Sequence, residues 1–420
     1  MKKSSFIKSS FILIIGGFIT KVLGMFIRII INRILDTETI GLYMMVVPTL
    51  SLLTSIATFS FPIAISKLIS EDKYDNKNII LSIIPISLII NILLIIILFI
   101  SSNFISTNLL HDNRLIYPII CIGFVLPFIS ISSILRGYYF GKQRMIPHVV
   151  TLILEDILRL ILILLILPKV NNKLCFLILL NIISELSSII ILIKLLPNKN
   201  IHIKDFKFKN IKKVLDISIP TTISRIIGNI GYFLEPIIIT NILIYLGYTN
   251  KFILNEYGII SGYVIPLLLL PSFFSNAISS ALIPNISKYN NNKKYVKRKI
   301  KQAIILSLII SIPITISIMI KPSFFLYLIY HTNKGINYLL ILAPICLLKY
   351  IEAPIAGTLQ ALGKSNIILK CTIYNTIIRS LSLLIFSLLH IGLWGYIISI
   401  SISIIFSTFY QTKKTYKSLL

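Results

Sequence analysis

Acidic residues are scarce in this chain: 14 Asp and Glu stand against 41 Lys and Arg in 420 residues. Charged residues of both signs make up only 13% of the sequence. A soluble globular protein carries about 25%, so that class is excluded. No cluster of acids is visible, which argues against a membrane glycosyltransferase or polymerase. Four cysteines, Cys121, Cys175, Cys346 and Cys371, stand singly in apolar segments without C-x-x-C spacing. They read as inert small apolar residues. The histidines His111, His148, His202, His331 and His390 are scattered, so no metal-ligand spacing arises. No Walker-type glycine loop is present, which excludes ATP hydrolysis by this chain. No catalytic residue, metal or cofactor is expected.

What remains is apolar. Hydrophobic residues make up 56% of the chain and the mean hydropathy is +0.92. Long apolar runs predict an all-α polytopic membrane protein of about twelve spans: 10–31, 41–69, 79–100, 115–135, 146–167, 174–196, 215–243, 257–284, 302–320, 336–356, 367–388 and 393–410. Pro48, Pro62, Pro220, Pro236, Pro266, Pro271 and Pro313 are candidate kinks, each removing one backbone hydrogen bond. Lys2, Lys3 and Lys8 before the first run resemble the start of a signal peptide. The run is long, contains Lys21 and Arg28 and lacks a small-x-small site, so it is read as the first span.

The formal charge of +27 does not indicate nucleic acid, because the basic residues alternate with apolar segments. With both termini cytoplasmic, the inner segments carry 25 Lys and Arg and the outer loops seven. That bias predicts a multi-pass protein of the bacterial cell membrane with cytoplasmic N- and C-termini. Every outer loop is short, leaving no external domain for a catalytic site. The basic segment 197–214 separates an N-terminal six-helix lobe, 1–196, from a C-terminal one, 215–420. Its lysines suit anionic lipid headgroups, and it also serves as linker and topology determinant.

A polar stripe marks the first span: Gly17, Lys21, Gly24 and Arg28, spaced four, three and four, share one helical face. Each cation at bilayer depth costs about 2.5–3.5 kcal/mol on insertion scales, so such residues face a bundle interior or a watery cavity. The spacing recurs as Ser224, Gly228, Gly231 and Glu235, with an acid in the place of Arg28. Further matches keep their order. Pro62-Ile-Ala-Ile-Ser-Lys67 parallels Pro284-Asn-Ile-Ser-Lys288, Phe140-Gly-Lys142 parallels Leu362-Gly-Lys364, and Glu155-Asp-Ile-Leu-Arg159 parallels Asn375-Thr-Ile-Ile-Arg379. Six spans per half is an even number, so the repeats are parallel and predict two lobes around a central cleft.

The same residues carry a family resemblance. Phe11 to Gly17, Lys21-Val-Leu-Gly24, Arg28, Gly41-Leu-Tyr43, Phe61 to Glu71, Arg136-Gly-Tyr-Tyr-Phe-Gly141 and Leu359-Gln-Ala-Leu-Gly-Lys364 resemble the stage V sporulation protein B group. That group belongs to the multidrug/oligosaccharidyl-lipid/polysaccharide exporter superfamily. The resemblance covers nearly the whole chain and implies two six-helix lobes and a flippase or exporter of lipid-linked sugars for peptidoglycan, spore cortex or another polysaccharide.

Lys21, Arg28, Arg225 and Arg379 are the candidate substrate contacts, because a lipid-linked pyrophosphate presents about two negative charges to basic side chains. Ion pairs with acids on neighbouring helices are the competing reading. Glu235 is a candidate for coupling to a proton or sodium gradient, or else pairs with Lys21 or Arg28. Glu155 and Asp156 are further coupling candidates, although Glu155 and Arg159 at i, i+4 also suit a local pair. His148 shares their face. Lys349 and Glu352 suit another local pair, and Glu185 calls for a basic partner. The expected function is transfer of a lipid-linked oligosaccharide or peptidoglycan precursor from inner to outer leaflet by alternating access. A cation antiporter of the same fold is the alternative, and the basic stripe argues against it.

Overall fold

The computed structural model describes residues 3–70, 76–196, 208–288 and 292–419, and among them every regular element is helical. The helices are α1 (Lys3–Ile34), α2 (Thr37–Thr58), α3 (Phe61–Ser70), α4 (Asn76–Asn103), α5 (Ile116–Gly141), α6 (Met145–Ile166), α7 (Lys173–Lys194) and α8 (Phe208–Tyr245). They continue as α9 (Asn250–Gly258), α10 (Ile265–Leu268), α11 (Ser272–Lys288), α12 (Lys293–Ile320), α13 (Pro322–Tyr330), α14 (Ile336–Ala361), α15 (Ser365–Ser387) and α16 (Trp394–Leu419). Residues 197–207 of the expected basic linker lie outside the described residues.

Nine of the described helical segments are long and apolar enough to cross a membrane, and ten if the bent pair Asn250–Leu268 and Ser272–Ile283 is one span. The expected twelve include two more, α6 and α16. Both are long enough, with 22 and 26 residues. The first carries three charged residues, Glu155, Asp156 and Arg159, in an otherwise apolar helix, and the second alternates Ser with Ile and ends in lysines.

Polar caps and prolines set the helix ends. Asp36 caps α2: its carboxylate accepts from the Thr39 N–H at 3.1 Å and from the Thr39 hydroxyl at 2.6 Å. Burial alone would raise its carboxyl, but the bonds from Thr39 outweigh this and hold it below the usual carboxylate range. An Asp36→Ala variant is expected to lose a cap worth about 0.5–2 kcal/mol, read as a lower thermal midpoint at neutral pH. Because the folded-state value is depressed, the cap's contribution is present above the ordinary carboxylate range and fades as pH falls through the folded value. The midpoints of wild type and variant therefore converge in acid.

The second span is broken between α2 and α3, where Phe59 and Ser60 take φ of 44° and 48°, just ahead of Pro62. The break releases the Ala57 carbonyl, which accepts from the Ser130 hydroxyl at 3.0 Å and the Asn91 amide at 3.4 Å. The eighth span bends by 50° around Pro271. Pro48 and Pro313 sit inside continuous helices, as do Pro220 and Pro236 in α8.

By contact the chain divides into two compact units, residues 1–34 with 45–233 and residues 35–44 with 234–420. In the first, α5 packs against α3, α4 and α7, and α6 packs against α1 and α7. Its core gathers Phe61, Ile65, Ile69, Ile83, Tyr139 and Leu192. In the second, α14 packs against α11, α12 and α16, and α15 against α16. Counted by span, the fourth and tenth take the same neighbours, as the sequence repeats require, whereas the first packs along the fifth and the seventh does not pack in the same way along the eleventh. The short start of α2 joins the second unit through glycines. A Cβ on Gly41 would lie 2.1 Å from the Leu254 carbonyl oxygen, and one on Gly258 would lie 2.6 Å from the Thr37 carbonyl oxygen. Only glycine at both positions allows α2 and α9 this approach.

Candidate functional site

The first-span stripe is open. Gly17, Lys21, Gly24 and Arg28 are all exposed, and a Cβ on Gly17 or Gly24 would meet nothing within 4 Å. The packed side of α1 adjoins it: Ile27 and Ile31 are buried, and Gly16 lies so close to Val149 of α6 that a Cβ would sit 2.1 Å from a Val149 methyl. Among the described residues no carboxylate lies within ion-pair distance of Lys21 or Arg28.

Arg225 belongs to the same unit and is also exposed. The competing reading, an ion pair with an acid, is not realised among the described residues. Instead Nη1 donates to the Thr58 hydroxyl at 3.3 Å, beside the break in the second span. One turn on, the Asn229 amide donates to the Ser55 hydroxyl at 2.6 Å. Polar side chains of α8 thus meet hydroxyls of α2, and the guanidinium carries an unneutralised charge among the described residues.

The other charges deep in the helices are paired. In the first unit Arg136 of α5 contacts Glu155, and lies 3.2 Å from Glu185 of α7. Arg159 donates to Glu155 at 2.8 Å, lies 3.4 Å from Asp156 and reaches the Ser184 hydroxyl at 3.3 Å. The expected Glu155–Arg159 pair is therefore present, and Glu185 has its base. Three carboxylates share two guanidiniums, which leaves one surplus acid. His148 lies edge-on to Phe140 with ring centroids 5.9 Å apart, within the field of Arg136. Arg136 was not singled out as a site residue because the predicted end of the fourth span, residue 135, placed it in a loop. Its signal was the Arg-Gly-Tyr-Tyr-Phe-Gly run.

The second unit solves the same problem differently. Glu235 is 2% exposed, and Arg379 approaches both of its carboxylate oxygens at 2.9 Å. The Tyr396 hydroxyl donates to it at 3.1 Å. Arg379 corresponds by repeat to Arg159 but has no acid on its own helix. The acid comes from α8, at the position where the first half has Arg28. Glu235 thus pairs with Arg379 rather than with Lys21 or Arg28. Nearby on the same unit, Glu352 accepts from Lys349 at 2.8 Å, as its spacing predicted, and from Ser407 and Gln411 at 3.1 Å each.

Comparison with solved structures defines the class. The chain superposes on an inward-facing multidrug resistance MATE family transporter of the MOP superfamily with a TM-score of 0.77 at 16% identity, covering 95% of this chain and 94% of that one. It superposes on the lipid II flippase MurJ, in an inward closed conformation, with a TM-score of 0.73 at 14% identity, covering 95% and 86%. The fold is therefore the two-lobed, all-helical fold of these membrane transporters. A MatE family model matches residues 236–385. The chain belongs to the polysaccharide biosynthesis protein family, whose model matches residues 6–290. The stage V sporulation protein B of Bacillus subtilis (strain 168) is 29% identical over 400 residues, spanning 90% of this chain and 77% of that protein. The two solved structures are those of a transporter and a flippase.

Proposed function

We propose that this protein is a flippase that carries a lipid-linked saccharide, of the kind used for peptidoglycan or another polysaccharide, from the inner to the outer leaflet by alternating access. The carrying observation is the sorting of charge within the first unit. Arg136 and Arg159 are neutralised by buried acids, whereas Lys21, Arg28 and Arg225 are exposed cations without a carboxylate partner among the described residues. A cation left unpaired at membrane depth is costly until an anion arrives. A pyrophosphate headgroup supplies about two negative charges, with the planar guanidiniums suited to forked contacts and Lys21 acting as a point charge. Arg379 is assigned away from the headgroup, since Glu235 already satisfies it. An organic cation would be repelled by the same three side chains, which weighs against the antiporter reading.

Coupling to a proton or sodium gradient is assigned to the surplus acid of the Arg136–Glu155–Asp156–Arg159–Glu185 network. Glu235 is a weaker candidate, being matched one to one. The membrane is the bacterial cell membrane with both termini inside, as the loop charges indicate, and the basic 197–214 segment rests on anionic lipids. The direct test is reconstitution in vesicles holding a labelled undecaprenyl-pyrophosphate sugar. The protein is expected to raise the fraction accessible from outside, and an unchanged fraction would overturn the reading. In the same vesicles Glu185→Gln is expected to weaken the response to an imposed pH or sodium gradient, while Glu235→Gln acts on folding. A full gradient response in Glu185→Gln would remove the coupling assignment.

A further inference from the structure

The break in the second span gathers buried hydroxyls that have nothing to bond. Phe59 and Ser60 hold the left-handed conformation there, which residues with a side chain rarely adopt. A serine just ahead of a helix ordinarily accepts, with its hydroxyl, from the N–H of the second or third helical residue. Here Pro62 has no N–H, and the N–H groups of Ile63 and Ala64 donate to the Ser60 carbonyl at 3.1 and 3.4 Å. The Ser60 hydroxyl is left over: it is fully buried and has no hydrogen-bond partner among the described residues. The facing helix adds a second such group. Arg225 meets Thr58 and Asn229 meets Ser55, so α8 runs antiparallel to α2 within the first unit. Thr222, Arg225 and Asn229, spaced three and four, share the α8 face that makes these contacts. In this register Thr222, one turn before Arg225, falls at the level of the break. Val214, earlier on α8, joins the core of Phe61 and Ile65, which continues the same register. The Thr222 hydroxyl is also buried and without a partner among the described residues. The Thr58 and Ser55 hydroxyls differ, since they donate to the Thr54 and Ser51 carbonyls at 2.8 and 3.1 Å.

We propose that the break is a phosphate-binding site, in which the Arg225 guanidinium supplies the charge and the Ser60 and Thr222 hydroxyls supply two neutral donors. Arg225 spends one N–H on Thr58 and has no carboxylate beside it among the described residues, so further guanidinium N–H groups are left for an acceptor. A buried hydroxyl without a partner bears the cost of an unmade hydrogen bond, and an incoming acceptor recovers it. The guanidinium fixes the sign of that acceptor, because it repels cations and bonds anions more strongly than neutral groups. The positive end of α3, which begins at Phe61, adjoins the same place. A phosphate group carries several acceptor oxygens, enough for one guanidinium and two hydroxyls at once. The lipid headgroup as the source of that phosphate rests on the flippase reading above; the anion site does not.

The site is tested on the purified full-length protein in detergent at fixed ionic strength. Isothermal titration is run with inorganic pyrophosphate and with undecaprenyl pyrophosphate, and thermal midpoints of the ligand-free proteins are measured in parallel. Thr222→Val keeps the side-chain shape and removes the hydroxyl. It is expected to weaken pyrophosphate binding at least about tenfold, the size of a hydrogen bond to a charged group. Its ligand-free midpoint is expected to stay level or rise, because the hydroxyl it removes is buried and unbonded. Ser60→Ala, on the other element, is expected to behave alike and gives the same reading if the valine variant does not fold. A tenfold loss with the lipid, or with both probes, supports the site and its lipid occupant. A loss with inorganic pyrophosphate alone supports the site and removes the lipid headgroup as its occupant, a failure of the flippase reading only. Binding of neither probe by the wild type would overturn the proposal. So would unchanged affinity in both variants for every probe the wild type binds, which would make the hydroxyls hydrated or structural only.

Discussion

Replacing Arg28 with alanine is expected to lower flipping of a lipid-linked pyrophosphate about 10- to 100-fold, with insertion and abundance unchanged. A hydrogen bond to a charged group contributes about 1.5–3 kcal/mol, and each 1.4 kcal/mol is about tenfold. Folding loses nothing comparable. Arg28 is exposed and has no ion pair among the described residues. Its removal relieves a cation at membrane depth, which favours insertion. Arg28→Lys keeps the charge but not the planar fork, so partial activity is expected. Flipping rates in vesicles, normalised to protein content, check this. Wild-type rates in Arg28→Ala would remove Arg28 from the substrate path.

The opposite behaviour is expected at Glu235 and Arg379. Either alanine variant leaves a buried charge without its partner, a loss of about 3–5 kcal/mol for pairs of this kind. The measured result is a sharp fall in folded yield and thermal midpoint in detergent. The Glu235→Ala/Arg379→Ala double variant is expected to recover part of that loss, because removing both charges leaves neither stranded. A stable Arg379→Ala variant with altered gradient dependence would instead make Glu235 a coupling group.

These two outcomes separate what the sequence could and could not reveal. Local pairs were readable: Glu155 with Arg159 and Lys349 with Glu352 stand three or four residues apart, and helical geometry brings such residues together. The parallel repeats were readable too, since ordered matches impose equal packing on equal spans. Distant pairs were not. Glu235 and Arg379 were both singled out but given different tasks, because nothing in a linear reading brings residues 144 positions apart onto facing helices. The break at Phe59 and Ser60 carries no glycine, so only Pro62 hinted at it.

The most direct measurement of the central claim is binding of undecaprenyl pyrophosphate to the wild-type protein and to the Lys21→Gln/Arg28→Gln/Arg225→Gln variant in detergent or nanodiscs. Thermal midpoints are measured in parallel. The account predicts that the variant folds as well as wild type and binds the pyrophosphate lipid at least about tenfold more weakly, given the size of a charged hydrogen bond. Equal affinity in the two proteins would contradict it.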